Sequence, residues 1–439
     1  MLPNGSHAQR RSGRLGFSAP LLAIALHSIV FVGGCTTVSR RPVPEALVDS
    51  VHVADIPAGI RFWGDRYSDE FLESISQSVA QADRTYGRES PPDILSISSG
   101  GLNGALAAGV LCGWTEHGTR PVFRVVTGVS IGAIIAPFAF LGSAYDDRLE
   151  EMARGATAEN IYRVRGSAEA LLGDSLADNA PLARFVARYV DRGVLSAVAV
   201  EHAKGRRLYV ATTNLDTKRP VIWDLGAIAS SRSSGALRVF QQVIVASAAA
   251  PVVFPPSYIE VEYAGRRYDE MHVDGAVSAQ IMLYGQSLTL EEALPSADAP
   301  RPRPTHYIIL NRQPSSGWDP VEPTLRAIAT HSVTRLMQDQ GVGDLWQAYA
   351  ACARDGMKFR MASIPDDEEL PFEPGIDTAT VARLFERGRA LARGGFPWAE
   401  QPPGLRVPPR TGLSTAPMER SPRRSASALQ HSTSRWTVQ

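Results

Sequence analysis

A serine flanked by glycines is the residue of this sequence best placed to act as a nucleophile. The segment Gly128–Gly132 reads Gly-Val-Ser-Ile-Gly, a G-x-S-x-G pattern with Ser130 at its centre. An abrupt turn from strand to helix would strain and expose the serine, and side chains at the flanking positions would clash. Ser130 would then lie at a helix N-terminus, which favours developing negative charge. The pattern alone more often marks an ordinary turn, so the strand–turn–helix context carries the hypothesis.

A second glycine-rich segment also lies between a predicted strand and a predicted helix. Residues 98–104 read Ser-Ser-Gly-Gly-Leu-Asn-Gly. A phosphate-binding loop is one interpretation, but the Lys-Ser/Thr of a P-loop is missing and no acidic residue follows at the Rossmann spacing. A tight turn without function is another. The functional interpretation is an oxyanion hole, in which glycine N–H groups point at an acyl oxygen as it gains charge.

One carboxylate and three histidines are the candidate general bases. Asp274 follows a predicted strand and begins the segment Asp-Gly-Ala, which on its own is typical of an ordinary turn. His272 lies two residues earlier, on the same side of that strand, where it could line a site. His202 and His306 are also available, and the order Ser130, Asp274, His306 matches that of α/β-hydrolase triads. A packed strand histidine is nevertheless the more common role for both His272 and His306.

The elements that must position these residues alternate between strands and helices. Such alternation favours an α/β fold with a layered sheet. Strands are predicted at residues 93–98, 123–127, 207–213, 220–223 and 306–310, with a hairpin formed by 259–263 and 268–273. Helices are predicted at residues 102–117, 131–141 and 323–354, and from an N-cap at Asp377 to about residue 393.

Taken together and in this order, the three segments resemble the motifs of the patatin-like phospholipase family. Further similar stretches are Asp174–Pro181, Thr212–Asp216, Ala246–Pro251, Phe254–Pro256 and Tyr268–Gly275. The resemblance covers about residues 90 to 395. It implies a three-layer α/β/α patatin-like fold, with a central, mainly parallel sheet and a nucleophile elbow.

The resemblance also implies a function and the residues that carry it. The family hydrolyses acyl esters, so we expect fatty acids to be released from phospholipids or lysophospholipids, with no metal or other cofactor. Ser130 would be the nucleophile and Asp274 its general base, with no histidine between them. The backbone N–H groups of Gly100, Gly101 and Leu102 would form the oxyanion hole. The remaining glycines of the motifs are Gly104, Gly128, Gly132 and Gly275.

Two departures from the family pattern keep other functions open. Ser99 stands where the oxyanion loop usually has glycine, and Asn103 stands where it usually has arginine. A serine is tolerated if its φ is negative, whereas a required positive φ would impair activity. Ser99 therefore leaves open a non-catalytic relative that binds lipid or protein, and the histidines leave open an esterase with a Ser-His-Asp triad.

The N-terminus predicts a targeting segment. Three arginines, Arg10, Arg11 and Arg14, precede the mostly apolar residues 15–32, and Gly-Gly-Cys35 follows. This resembles a bacterial lipobox, which implies a lipoprotein-type signal peptide over residues 1–34 and lipidation of Cys35. Acyl chains on Cys35 would anchor the protein in a membrane. By resemblance to Gram-negative lipoproteins, Thr36 favours the outer membrane. A transmembrane anchor and a secretory signal with an incidental cysteine are the alternatives.

Composition and charge set the remaining limits. We expect a tether at residues 35–57, a hydrolase domain at 58–400 and a disordered tail at 401–439, where Pro, Ser and Arg predominate. The 45 basic and 45 acidic residues balance, which argues against nucleic acid as the main partner. The three cysteines cannot build a disulfide framework.

Overall fold

Twelve β-strands are found in the part of the chain that the structure describes. This computed structural model describes residues 40–166, 174–282, 302–314, 320–368 and 377–405, together with residues 289 and 292. The predicted signal peptide, Cys35 and the tail from residue 406 onward lie outside the described residues. The strands are β1 His52–Val53, β2 Arg61–Trp63, β3 Ile94–Ile97, β4 Val125–Gly128, β5 Arg163–Val164, β6 Ala177–Asp178, β7 Arg207–Asn214, β8 Arg219–Asp224, β9 Ser257–Tyr263, β10 Arg266–Asp274, β11 Thr305–Leu310 and β12 Lys358–Ser363.

Ten of these strands form one mixed sheet with a parallel centre. The strand order is β1-β9-β10-β7-β4-β3-β11-β12, and β8 joins β7 to β2. The neighbours β7, β4, β3, β11 and β12 run parallel. The strands β10, β9 and β1, and the branch β8–β2, are attached antiparallel. The remaining strands, β5 and β6, form a separate antiparallel pair.

Eleven α-helices accompany the strands in the described residues. They are α1 Asp69–Tyr86, α2 Gly104–His117, α3 Ile131–Leu141, α4 Asp146–Gly155, α5 Ala158–Ile161, α6 Ala180–Tyr189, α7 Arg192–Ala203, α8 Leu225–Ser230, α9 Ala236–Ser247, α10 Leu325–Arg354 and α11 Thr378–Arg393. Side-chain caps fix several of their starts. Ser68, Thr324 and Asp377 each accept a hydrogen bond from a backbone N–H in the first turn of the helix that follows.

The helices cover both faces of the sheet, because successive strand residues point to opposite sides. On β3, Leu95 and Ile97 pack into the larger apolar core with helices α2, α3, α7, α9 and α11. Their neighbour Ile94 belongs to a second core, which includes Leu345 of α10. On the same side, Phe71 of α1 packs against Tyr209 of β7. The expected three-layer α/β/α architecture is therefore confirmed.

The local predictions agree closely with these elements. The predicted hairpin is present, and its two-residue loop has positive φ at both Ala264 (48°) and Gly265 (74°). That conformation matches the twist of the two strands, β9 and β10. The predicted long helix begins two residues later than expected, at Leu325. Among the described residues, no helix combines the length and apolar character needed to cross a bilayer.

The predicted tether does not extend to residue 57. His52 and Val53 form β1 and pair with Glu262 and Val261 of β9. Val53 and Ile56 are buried in the core. The prediction is therefore wrong for residues 40–57, which are part of the folded body. The compact unit that contains this body ends at Pro403.

Helices α2 and α11 approach each other closely because glycine occupies their contact. A Cβ atom on Gly109 would overlap the carbonyl oxygen of Phe385, and one on Gly113 would overlap that of Arg389. A Cβ on Gly388, from the opposite helix, would overlap the carbonyl oxygen of Leu106. The backbones are therefore in direct contact, and this contact fixes the position of α2, the helix that follows the glycine-rich loop.

We predict that Gly109→Ala destabilises the protein by about 2–3 kcal/mol, because the added methyl group must push the two backbones apart. Gly343→Ala is the matched control, since a Cβ at this α10 position meets nothing within 4 Å. The control should stabilise the protein by up to about 1 kcal/mol through helix propensity. Urea unfolding measures both. Equal stability of the two variants would contradict the close approach of α2 and α11.

Candidate active site

Ser130 lies in a strained turn between β4 and α3. Its backbone has φ 57° and ψ −123°, a region that residues with side chains rarely adopt. A Cβ on Gly128 would overlap the carbonyl oxygen of Gly132, and one on Gly132 would overlap that of Ile97. Glycine at both positions lets the turn pack against the end of β3, as the G-x-S-x-G spacing requires.

Asp274 is brought to Ser130 by the pairing along β7. Strand β8 occupies one edge of β7, so β4 and β10 share the other edge. On that edge Gly128 of β4 pairs with Val210, and Asp274 of β10 pairs with Thr212, two residues farther along. The carboxyl ends of β4 and β10 therefore meet end to end, although 144 residues separate Ser130 from Asp274.

The two side chains form a direct hydrogen bond. Ser130 Oγ donates to Asp274 Oδ2 at 2.7 Å, and both residues are almost completely buried. The backbone N–H of Ser130 donates to Ser247 Oγ at 3.0 Å, which ties the turn to the end of α9. Ser247 was not singled out from the sequence, but it lies within the stretch Ala246–Pro251 that resembles the family.

The second carboxylate oxygen of Asp274 is also held. Asp274 Oδ1 accepts the backbone N–H of Ala276 at 2.8 Å, and the N–H of Asp274 donates to the carbonyl oxygen of Ala249 at 3.0 Å. A Cβ on Gly275 would overlap the carbonyl oxygen of Ala211, so this turn also depends on glycine. The orientation of the carboxylate is thus fixed by its own turn, a 3₁₀ turn over Gly275–Val277.

Burial raises the pKa of Asp274 to about 7, because desolvation penalises the charged carboxylate. The hydrogen bonds from the Ala276 N–H and from Ser130 act in the opposite direction but are smaller. The carboxyl group therefore changes charge close to neutral pH. A group with such a pKa can accept a proton and release it again under physiological conditions.

The glycine-rich loop lies beside the turn that carries Ser130. Gly100 and Gly101 have positive φ, 151° and 55°. A Cβ on Gly104 would overlap Ile131, the residue after Ser130, so the two segments are in contact. Leu102 packs against the larger core. Within the described part of the chain, no acceptor is found for the N–H groups of Gly100 and Gly101, which leaves both available to an acyl oxygen.

Ser99 fits this loop without backbone strain. It is not among the described non-glycine residues that have positive φ. Its N–H donates to the carbonyl oxygen of Gln280 at 3.1 Å, so this donor is occupied. The departure from glycine at position 99 therefore imposes no unfavourable φ on the loop.

The three histidines considered for a triad lie beside polar groups other than Ser130 and Asp274. His272 uses both ring nitrogens, on Thr212 Oγ1 at 2.9 Å and on Glu270 Oε2 at 3.0 Å. His306 Nε2 lies 2.8 Å from Ser96 Oγ, and burial lowers its pKa to about 4. His202 lies near Asp224, and burial lowers its pKa to about 3. None of these recorded bonds reaches Ser130 or Asp274.

Within the part of the chain that the structure describes, neither a reactive cysteine nor a metal-binding site is found. Burial raises the pKa of both Cys112 and Cys352 to about 12, which keeps these thiols protonated. Within the described ranges, no group of three or more His, Cys, Asp or Glu side chains is arranged to hold a metal ion. A cavity of about 880 Å³ is lined by residues between 48 and 77 together with Arg207 and Asp224. Neither Ser130 nor Asp274 lines this cavity.

Residues 95–283 match the family model described as patatin-like phospholipase. No curated protein matches this chain. Among solved structures, a match is found in the complex of full-length SpcU with full-length ExoU from the type III secretion system of Pseudomonas aeruginosa. The sequence identity is 13% and the TM-score is 0.28. The match covers 70% of this chain and 52% of the matched chain of that complex. The match thus spans about half the length of that protein.

We predict that Asp274→Asn stabilises the protein, and that the gain grows as pH rises from about 4 to 7. Because the folded state raises this pKa from 3.8 to about 7, it binds the proton more tightly than the unfolded state does. Wild-type stability therefore falls across that interval, by up to about 4 kcal/mol, and asparagine escapes the loss.

Free energies of unfolding measured between pH 4 and 9 test this expectation. Asp147→Asn, which removes an exposed carboxylate on α4, is the control. A difference between Asp274→Asn and wild type that does not change with pH would contradict the raised pKa.

Proposed function

We propose that this protein is a serine acyl-ester hydrolase with a Ser130–Asp274 dyad, because residues 95–283 match the family model of patatin-like phospholipases. Its substrates would be phospholipids or lysophospholipids, from which it would release fatty acids. The observation that carries the proposal is the 2.7 Å hydrogen bond from Ser130 Oγ to Asp274 Oδ2, within a strained strand–turn–helix junction. Such strain, in a turn packed this tightly, is found mainly at functional sites.

Acylation needs a base for the Ser130 proton and donors for the acyl oxygen. Asp274 accepts the proton from Ser130 Oγ while that oxygen attacks the ester carbonyl carbon. The carbonyl oxygen gains negative charge, and the N–H groups of Gly100 and Gly101 stabilise it. Asp274 then gives the proton to the departing alkoxide, which leaves an ester between Ser130 and the fatty acid.

Deacylation uses the same groups in reverse. Asp274 accepts a proton from a water molecule, and the water oxygen attacks the acyl carbon of the Ser130 ester. The same N–H groups stabilise the second oxyanion, and the proton returns to Ser130 Oγ as the fatty acid leaves. The raised pKa of Asp274 suits this cycle, because a carboxylate at its ordinary pKa would be a poor acceptor for a hydroxyl proton.

We also propose that the protein is anchored through lipidated Cys35 in the cell envelope of a Gram-negative bacterium, at the outer membrane. The support is the arginine-rich start, the apolar stretch and the Gly-Gly-Cys sequence at residues 33–35. Thr36 favours the outer membrane by its resemblance to other lipoproteins. Anchoring would hold the hydrolase beside its phospholipid substrate.

We predict that Ser130→Ala and Asp274→Asn each lower kcat by about 10³-fold or more, because each removes a group that takes part in bond making. Release of fatty acid from phospholipid, and of nitrophenol from a short-chain ester, measures the loss. A fluorophosphonate probe should label wild type but not Ser130→Ala. Asp224→Asn is the matched control, since Asp224 is an equally buried carboxylate with a raised pKa but caps α8 instead.

Hydrolysis at the wild-type rate in either dyad variant would reject the dyad. Loss of activity in His272→Gln or His306→Gln, variants in which Asp274 is unchanged, would favour the Ser-His-Asp triad alternative. A folded wild type that neither hydrolyses esters nor reacts with the probe would favour the non-catalytic alternative.

We predict that Cys35→Ser abolishes lipidation and moves the protein from the membrane to the soluble fraction. The serine hydroxyl cannot replace the thiol to which the lipid would be attached. Metabolic labelling with a radioactive fatty acid, followed by membrane fractionation, measures both effects, and Cys112→Ser is the control. Persistent membrane association of unlabelled Cys35→Ser would show that another segment anchors the protein.

A further inference from the structure

Gln280 connects the turn that holds Asp274 to the glycine-rich loop. Its side-chain Nε2 donates to the carbonyl oxygen of Ala276 at 3.1 Å, and its backbone carbonyl accepts the N–H of Ser99 at 3.1 Å. Ser99 Oγ also donates to Gln280 Oε1. Gln280 is completely buried, and both ends of its amide are used. A buried side-chain amide needs partners at both ends, and here the two partners belong to different parts of the candidate site.

These bonds form a continuous path between the two parts of the candidate site. Ala276 is the residue whose N–H binds Asp274 Oδ1, and its carbonyl binds Gln280. Gln280 in turn binds Ser99, which immediately precedes Gly100. The position of the candidate oxyanion donors is thus tied to that of the candidate base through three hydrogen-bonded residues.

Arg312 holds the centre of this path. Its Nη2 donates to Gln280 Oε1 at 2.6 Å and to Ser99 Oγ at 3.2 Å, and its Nη1 donates to the carbonyl oxygen of Met337 in α10 at 3.1 Å. The planar guanidinium fixes the directions of these bonds relative to one another. Because Arg312 can only donate, it also fixes which end of the Gln280 amide carries the oxygen.

Asp344 of α10 secures Gln280 from the other side. Asp344 Oδ2 accepts the backbone N–H of Gln280 at 2.6 Å and that of Ile281 at 3.3 Å. Asp344 also offers a negative charge to the partly buried Arg312. Helix α10 therefore supports the path at two points, through the Met337 carbonyl and through the Asp344 carboxylate.

We propose that Gln280 and Arg312 are positioning residues that hold the oxyanion loop in register with the Ser130–Asp274 pair, an inference that rests on the proposed function. Neither residue reacts with substrate. Arg312 orients Gln280 and Ser99, and Gln280 sets the distance between the loop and the turn of Asp274. Loss of this clamp, defined as Ser99, Gln280 and Arg312, would leave the dyad formed but its oxyanion donors misplaced.

The test uses the full-length protein with Arg312→Lys and Gln280→Glu. Lysine keeps the charge but cannot bind Ser99, Gln280 and Met337 in the same fixed geometry. Glutamate keeps the size and loses the donor to Ala276. Gln313→Ala is the matched control, because Gln313 is the next residue and binds only the carbonyl oxygens of Pro365 and Glu368 among its recorded partners.

We expect kcat to fall about 10-fold or more in both clamp variants, with KM changed by less than about 3-fold. Affinity for a trifluoromethyl ketone, which forms a tetrahedral oxyanion on the nucleophile, should fall by a factor similar to that of kcat/KM. A purely structural defect would lower the amount of active protein and leave the ketone affinity of the remainder unchanged. Gln313→Ala should keep both values within about 2-fold of wild type.

The proposal would be overturned if both clamp variants had the ketone affinity and kcat of wild type. It would also be overturned if their losses of kcat and ketone affinity were no larger than those of Gln313→Ala. Hydrogen exchange gives a readout that does not need activity. The amides of Ser99 and Asn103 should exchange faster in both clamp variants, and unchanged exchange would also overturn the proposal. If wild type hydrolyses no ester, the proposed function fails, whereas the exchange measurement still decides whether the clamp holds the loop.

Discussion

The end-to-end meeting of β4 and β10 along one edge of β7 is the constraint on which the candidate site depends. Because β8 fills the other edge of β7, the carboxyl ends of β4 and β10 have one arrangement available. A shift of β10 by one residue would turn Asp274 to the opposite face of the sheet and away from Ser130. The register of the sheet is thus a condition for the hydrogen bond between Ser130 and Asp274, and the two local turns then orient the side chains.

This arrangement is energetically unfavourable at two points. Ser130 has a backbone conformation that costs of order 1–3 kcal/mol, and the buried Asp274 resists ionisation. Both persist because their surroundings allow no relaxation. Helix α3 is buried from Gly132 to Phe140, and the turn before it packs directly on the backbone of β3. The well-packed apolar core thus stabilises the strained backbone of Ser130 and the buried carboxyl group of Asp274.

The sequence predicts well the features that depend on neighbouring residues. The G-x-S-x-G turn, the β9–β10 hairpin and the Asp377 cap each follow from a few consecutive side chains, and each is present in the structure. Features that depend on distant pairing could not be predicted in this way. Nothing in the composition of residues 40–57 indicates that Val53 pairs with Val261, so that segment was expected to be a tether. A two-residue strand carries too little periodicity to be recognised.

Ser99 shows most clearly where local pattern and three-dimensional structure diverge. Because Ser99 stands where the family motif has glycine, the sequence alone suggests an impaired oxyanion loop. In the fold, its N–H and hydroxyl are both used by Gln280, 181 residues away, and its hydroxyl also meets Arg312, 213 residues away. Glycine at this position would have no hydroxyl for either partner, and the partly buried guanidinium of Arg312 would lose an acceptor. Ser99 is therefore consistent with its surroundings. Together with Gln280 and Arg312 it forms one hydrogen-bonded unit.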